Sequence, residues 1–175
     1  MYSFTEENYL KAIYKLQELK AEAINTNSIA GVMATKAASV TDMIKKLSDK
    51  KLLKYQKYKG VQLTEAGKKI AVFTLRKHRL WETFLYNKLN FNWDEVHDLA
   101  EQLEHIQSID LTDKLDKYLG FPTHDPHGDP IPERNGEIKT TNFILLSFLH
   151  KGNAGIISGV VNHSSIFCST FKKTS

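Results

Sequence analysis

Apolar side chains recur at three- and four-residue intervals through most of the chain up to Gly120, the period that lines one face of an α-helix. From Thr5 to Lys20 the stripe is Tyr9, Leu10, Ile13, Tyr14 and Leu16. Ser3 or Thr5 can cap its start, and Glu6 and Glu7 suit the positive end of the helix dipole. A shorter helix is expected over Ser28 to Ala34, carrying Ile29, Val32 and Met33. After a break around Thr35 to Ala38, Ser39 is expected to cap a third helix through Lys50, with Val40, Met43, Ile44 and Leu47 inward. LLKYQKY and GVQL then alternate as short strands, turning at Lys59-Gly60. Thr64 caps a long helix running to about Leu89, with Ile70, Phe73, Leu80, Trp81, Phe84 and Leu85 on its apolar side. Three helices, a two-stranded wing and a linking helix are the order of a winged helix-turn-helix.

Two more helices are expected, over Trp93 to Ile106 and over Leu111 to Leu119, where Gly120 is the stop. FPTHDPHGDPIPERNGE then holds all four prolines of the chain and reads as a linker or a structured loop. His124 and His127 are expected to serve a turn or the surface there. ILLSFLHKGNAGIISGVVNHSS has short β-like runs punctuated by glycine, the start of a small β segment too short for a complete barrel. These patterns divide the chain into a winged-helix domain over 1–74, a helical domain over 75–122, a Pro-rich linker over 123–142 and a β segment over 143–175.

The composition narrows the function classes. The 175 residues are 41% apolar and 25% charged, as in ordinary globular proteins. No apolar run approaches the ~20 residues of a membrane span, and the start, MYSFTEENYLKAIY, lacks the basic-then-apolar order of a signal peptide. The single cysteine, Cys168, excludes an internal disulfide and fits the reducing cytoplasm. Charge is unevenly placed. From Lys36 to Lys77 there are 12 Lys/Arg against 3 Asp/Glu, whereas from His78 to Lys139 there are 6 against 13. The first segment is suited to a polyanion and the second to cations.

In the basic segment, the helix after the break is the candidate recognition helix, the element that enters the DNA major groove. Lys36, Ser39, Thr41 and Asp42 stand at its start, where short polar groups approach base edges. Lys45 and Lys46, with Lys54, Lys57 and Lys59 of the wing, are placed to reach phosphates. Double-stranded DNA is the expected partner.

In the acidic segment, His78 and Glu82 are four residues apart on one helix face, as are His97, Glu101 and His105 on the next helix, with Glu104 alongside. A single exposed His–Glu pair is ordinarily an ion pair. Two on consecutive helices point to a cation, and imidazole with carboxylate but no thiolate suits manganese, ferrous iron or zinc. Two other readings stand beside this one: a winged-helix regulator insensitive to metal, and a metal-carboxylate enzyme or buffer. No GxSxG or phosphate-loop motif occurs, and the Glu-x-x-His repeat of di-iron bundles is absent, so no enzyme is expected.

TEENYLKAIYKL, SVTDMIKKL, KYKGVQLTEAG, RKHRLWETFL, EVHDLAEQLEH and DPHGDPIP together resemble the DtxR/MntR family of metal-dependent transcriptional repressors, relatives of the diphtheria toxin repressor. The resemblance runs from about Thr5 to Pro132. It implies a mainly α protein: a winged helix-turn-helix DNA-binding domain, a helical metal-binding and dimerisation domain, and a partial SH3-like β segment at the C-terminus, about half the expected length. It implies a homodimer that binds a palindromic operator when loaded with manganese(II) or iron(II) and controls metal-uptake or homeostasis genes. His78, Glu82 and His97 match one family metal site, and Glu101, Glu104 and His105 match the helix-borne part of a second. Asn8 stands where the second site takes a ligand from the first helix, methionine in iron-type members and aspartate in manganese-type ones. Lys11 replaces an acidic residue of the manganese type. Glu101 replaces the cysteine of iron-type members, and hard oxygen for soft sulfur favours manganese.

Overall fold

The computed structural model describes residues 2–19, 24–56, 60–139, 144 and 146–154. Lys57, Lys59 and most of the expected SH3-like segment, with His163 and Cys168, lie outside the described residues. The chain divides into two compact units, Met1–Leu75 and Arg76–Ser175.

In the first unit, α1 (Phe4–Leu19), α2 (Thr26–Val32) and α3 (Ala37–Asp49) precede a hairpin of β1 (Leu53–Gln56) and β2 (Gly60–Leu63). The hydrophobic stripes meet where the sequence places them: Leu10, Ile13, Ile29, Val40, Ile44 and Leu47 are buried. Ser3 is the α1 cap. Its Oγ accepts the Glu6 N–H at 3.3 Å while Glu6 Oε2 accepts the Ser3 N–H at 3.0 Å, a reciprocal capping box. Asn25 caps α2 through the Ser28 N–H at 2.8 Å.

The expected Ser39 cap is corrected by the structure. α3 starts earlier, with Lys36 in extended conformation at the N-cap and no side-chain cap bond, because Ala37 and Ala38 are themselves strong helix formers. The antiparallel register pairs Leu53 with Leu63 and Tyr55 with Val61. Ile24 adds a bridge to Val61, exchanging backbone hydrogen bonds of 3.2 and 2.9 Å, so the wing is braced by the segment leading into α2.

α4 (Glu65–Leu89) follows Thr64, whose Oγ1 accepts the Gly67 N–H at 3.1 Å. Gly67 is required by space: a Cβ there would stand 2.1 Å from the Leu52 carbonyl oxygen.

In the second unit, α4 continues beside α5 (Val96–Leu103) and α6 (Ile109–Tyr118). Leu85, Val96 and Ala100 form one buried cluster, and Leu80, Leu115 and Ile131 form another. α6 is capped by Ser108 and ends before Gly120, whose φ of +78° suits glycine. α5 is shorter than its sequence pattern, since the residues from Trp93 form turns before it and Glu104 is its C-cap.

The Pro-rich stretch is a structured loop through Lys139. Arg76 Nη1 donates to the Pro132 carbonyl at 2.6 Å and Nη2 to Asp116 Oδ2 at 2.7 Å. Arg79 Nη1 donates to the Pro130 carbonyl at 2.5 Å and Nη2 to Asp129 Oδ2 at 3.3 Å. Both guanidiniums are buried. Two arginines one turn apart on α4 therefore hold the loop by its backbone.

Candidate metal centre and nucleic-acid interface

The middle of α4 presents His78 and Glu82 on its inner face, and the first turn of α5 presents His97 toward them. Glu82 Oε1 lies 3.0 Å from both His78 Nε2 and His97 Nδ1. The ligating atoms of all three residues fall within 4.8 Å of one another. His78 is gripped at both ends, because its Nδ1 is 2.7 Å from Glu104 Oε2. His78, Glu82 and Glu104 are each 2% exposed or less.

A second group forms around the other oxygen of Glu82, where Glu82, Asp125 and His127 also place one ligand atom each within 4.8 Å. His127 Nδ1 is 3.6 Å from Glu82 Oε2. His127 stands in a turn, one of the roles expected for it, but is buried rather than at the surface. Asp125 Oδ1 folds the loop by accepting the N–H groups of His127 at 2.8 Å and Asp129 at 3.0 Å. Trp93 stacks on the His127 ring and donates its indole N–H to the Pro126 carbonyl at 3.0 Å. Sequence reasoning missed Asp125 and His127. The signal available was Asp-x-His set in a Gly/Pro-rich loop.

The other three predicted ligands are less tightly gathered. Glu104 Oε1 is 3.6 Å from His105 Nε2, and Glu101 Oε1 is 3.9 Å from His97 Nε2. Glu101 is exposed, and Glu101, Glu104 and His105 do not form a third group of this kind among the described residues. Asn8, in the first unit, is half-buried; its Oδ1 is fully buried and has no hydrogen-bond partner among the described residues.

The electrostatics fit a cation-binding donor set. Burial raises the Glu82 carboxyl, but hydrogen bonds from His127, His78 and His97 outweigh it and hold the group far below the usual carboxylate range. Burial, then the facing charges of Glu82 and Asp129, push Asp125 up to about 7, against the opposing pull of Arg79. Burial lowers His127, but its contacts with Glu82 and the charge of Asp125 reverse the sign and raise it. Two carboxylates crowded among imidazoles repel each other unless positive charge stands between them.

On the candidate DNA-reading side, Lys36, Ser39, Asp42, Lys45 and Lys46 are exposed and Thr41 is half-buried, all on or next to α3. Thr41 Oγ1 donates to the Ala37 carbonyl at 2.9 Å, Asp42 lies 3.6 Å from Lys45, and Lys46 Nζ lies 3.1 Å from Glu6.

A winged-helix unit is thus followed by helices that carry buried His/carboxylate clusters. Residues 1–61 match the iron dependent repressor N-terminal DNA binding domain, and residues 64–133 match the iron dependent repressor metal binding and dimerisation domain. The chain belongs to this iron-dependent repressor family, the DtxR/MntR family. It is 35% identical over 115 residues to the HTH-type transcriptional regulator MntR of Bacillus pumilus, covering 66% of this chain and 78% of that one. It is 34% identical over 128 residues to the iron-dependent repressor IdeR of Mycobacterium bovis, covering 73% of this chain and 55% of the relative. The chain thus spans little more than half the length of that curated relative. A solved manganese-dependent transcriptional repressor in complex with manganese superposes with a TM-score of 0.84 at 36% identity, over 95% of this chain and 76% of the other.

Proposed function

We propose that the protein is a cytoplasmic, metal-dependent transcriptional repressor. Loaded with manganese(II) or iron(II), it binds a palindromic operator as a homodimer and controls metal-uptake or homeostasis genes. The observation that carries this reading is Glu82, a buried carboxylate shared by two His/carboxylate groups in a family whose first domain binds DNA. His78, Glu82 and His97 are the ligands of one site. Glu101, Glu104 and His105 are ligands of the second, with Asn8 supplying an amide oxygen. The unpartnered Asn8 Oδ1 supports its part, since a buried carbonyl oxygen without a donor is the kind of atom a hard cation takes. Asp125 and His127 extend the first site on the far side of Glu82. Oxygen and imidazole donors throughout favour manganese over softer ions.

Regulation follows if the metal binds one arrangement of the reading heads better than the other, since a ligand shifts an equilibrium only by its differential affinity. Lys36, Ser39, Thr41 and Asp42 then face base edges, while Lys45, Lys46, Lys57 and Lys59 serve phosphates. A mobility-shift assay across divalent metals tests the reading. Operator binding is expected with manganese or ferrous iron and lost with chelator, and Glu104→Ala is expected to weaken the metal stimulation. Full-affinity binding by metal-stripped protein would point instead to a winged-helix regulator not gated by metal. Turnover or storage of metal without sequence-specific DNA binding would point to an enzyme or buffer.

A further inference from the structure

Glu6 is a charged residue in the first turn of α1, yet it is only 1% exposed. Its Oε1 accepts from Lys50 Nζ at 2.6 Å and lies 3.1 Å from Lys46 Nζ. Its other oxygen is held by the capping box with Ser3. Lys46 is in the last turn of α3, and Lys50 is the C-cap of that helix. A single buried carboxylate therefore fastens the start of α1 to the end of the helix assigned to reading DNA. Asn8 follows Glu6 by two residues on the same helix, so whatever moves Asn8 moves Glu6 with it.

We propose that Glu6 is a positioning residue that passes a displacement of the Asn8-bearing helix to the recognition helix α3. This rests on the assignment of Asn8 as a metal ligand and of α3 as the DNA reader. The physical reason is stiffness. Pulling α1 away from the end of α3 strips both ammoniums, themselves partly exposed, from a carboxylate with 1% of its surface open, so the two helix ends shift together. Leu10, Ile13, Ile44 and Leu47 are buried as well, but apolar burial is not directional and by itself allows sliding. An ion pair with a reciprocal cap behind it fixes one geometry.

The test is the ratio of DNA affinities with and without metal. The probe is a duplex selected from a random pool by the manganese-loaded, unmutated chain, and affinity is read by fluorescence anisotropy in MnCl2 and in EDTA. Glu6→Gln is expected to lower that ratio about tenfold, a typical coupling between sites, while MnCl2 binding by calorimetry stays within about twofold of the unmutated chain. Lys50→Met, which leaves Glu6 paired with Lys46, is expected to lower the ratio about threefold on the same scale, and it serves if Glu6→Gln does not fold. Loss of an ordinary phosphate contact changes both affinities alike and leaves the ratio unmoved. An unchanged ratio in folded variants, against clear stimulation of the unmutated chain, overturns the role of Glu6 alone. Absence of metal stimulation in the unmutated chain overturns the metal reading and the role of Glu6 with it.

Discussion

Replacing Arg76 by methionine tests whether the loop bearing Asp125 and His127 is held by α4. The guanidinium is 4% exposed and makes two short bonds, 2.6 Å to the buried Pro132 carbonyl and 2.7 Å to Asp116. Losing a charge-assisted bond to a buried carbonyl costs about 1.5–3 kcal/mol. Stripping the partner from a fully buried carboxylate costs roughly 3–5 kcal/mol. The Asp116 side chain keeps 14% of its surface, so water recovers part of that second cost. Methionine retains much of the packing of the arginine stem. A net loss of about 3 kcal/mol follows, which in a chain of this size lowers the melting temperature by roughly 6–12 °C. Circular dichroism melts in EDTA measure it. A shift below about 2 °C, or less than 1 kcal/mol on that scale, would show that the loop does not depend on this anchor.

Gly67→Ala puts a Cβ 2.1 Å from the Leu52 carbonyl oxygen, and the backbone displacement is expected to cost about 1–3 kcal/mol; a urea midpoint equal to that of the unmutated chain would refute the clash. Glu82→Gln removes the charge common to both His/carboxylate groups and is expected to weaken manganese binding at least about tenfold, as for loss of a strong ligand interaction, read by calorimetry; unchanged affinity would remove Glu82 from the site. The Glu6 carboxyl is raised by burial but lowered more by Lys50, Ser3 and Lys46, from 4.5 to about 2. Its stabilising contribution is complete above the unfolded value and disappears as pH falls toward 2, so Glu6→Gln should flatten the acid limb of stability between those values; an acid limb of the same slope would refute this.

The helices of both units were legible because each buries one face, and a buried face leaves a periodic trace. Leu10, Ile13, Val40, Ile44 and Leu47 are buried as their spacing requires. Interactions between distant segments leave no such trace. Lys46 lies 3.1 Å from Glu6, forty positions upstream, and no local spacing announces that pairing. His127 reads as a surface loop residue because Trp93 and Glu82, which cover it, lie far back in the chain. The spacing of His78, Glu82 and His97 made one cluster readable, since two helices suffice to build it. The group containing Asp125 needed the fold of a loop, and loops are set by anchors such as Arg79 rather than by a repeating pattern.

The two oxygens of Glu82 have a consequence in charge counting. With neutral imidazoles, the His78/Glu82/His97 group would offer a divalent ion one negative charge directly, and the buried Glu104 carboxylate 2.7 Å behind His78 would offset the rest. The Glu82/Asp125/His127 group offers two, and Arg79 beside it is offset by Asp129 at 3.3 Å. A divalent ion at either group would then be close to neutralised, which a buried place tolerates far better than a net charge. A single carboxylate cannot lend its full charge in both directions at once. Filling one side therefore leaves the other short of anion, so the two groups compete for the charge of Glu82.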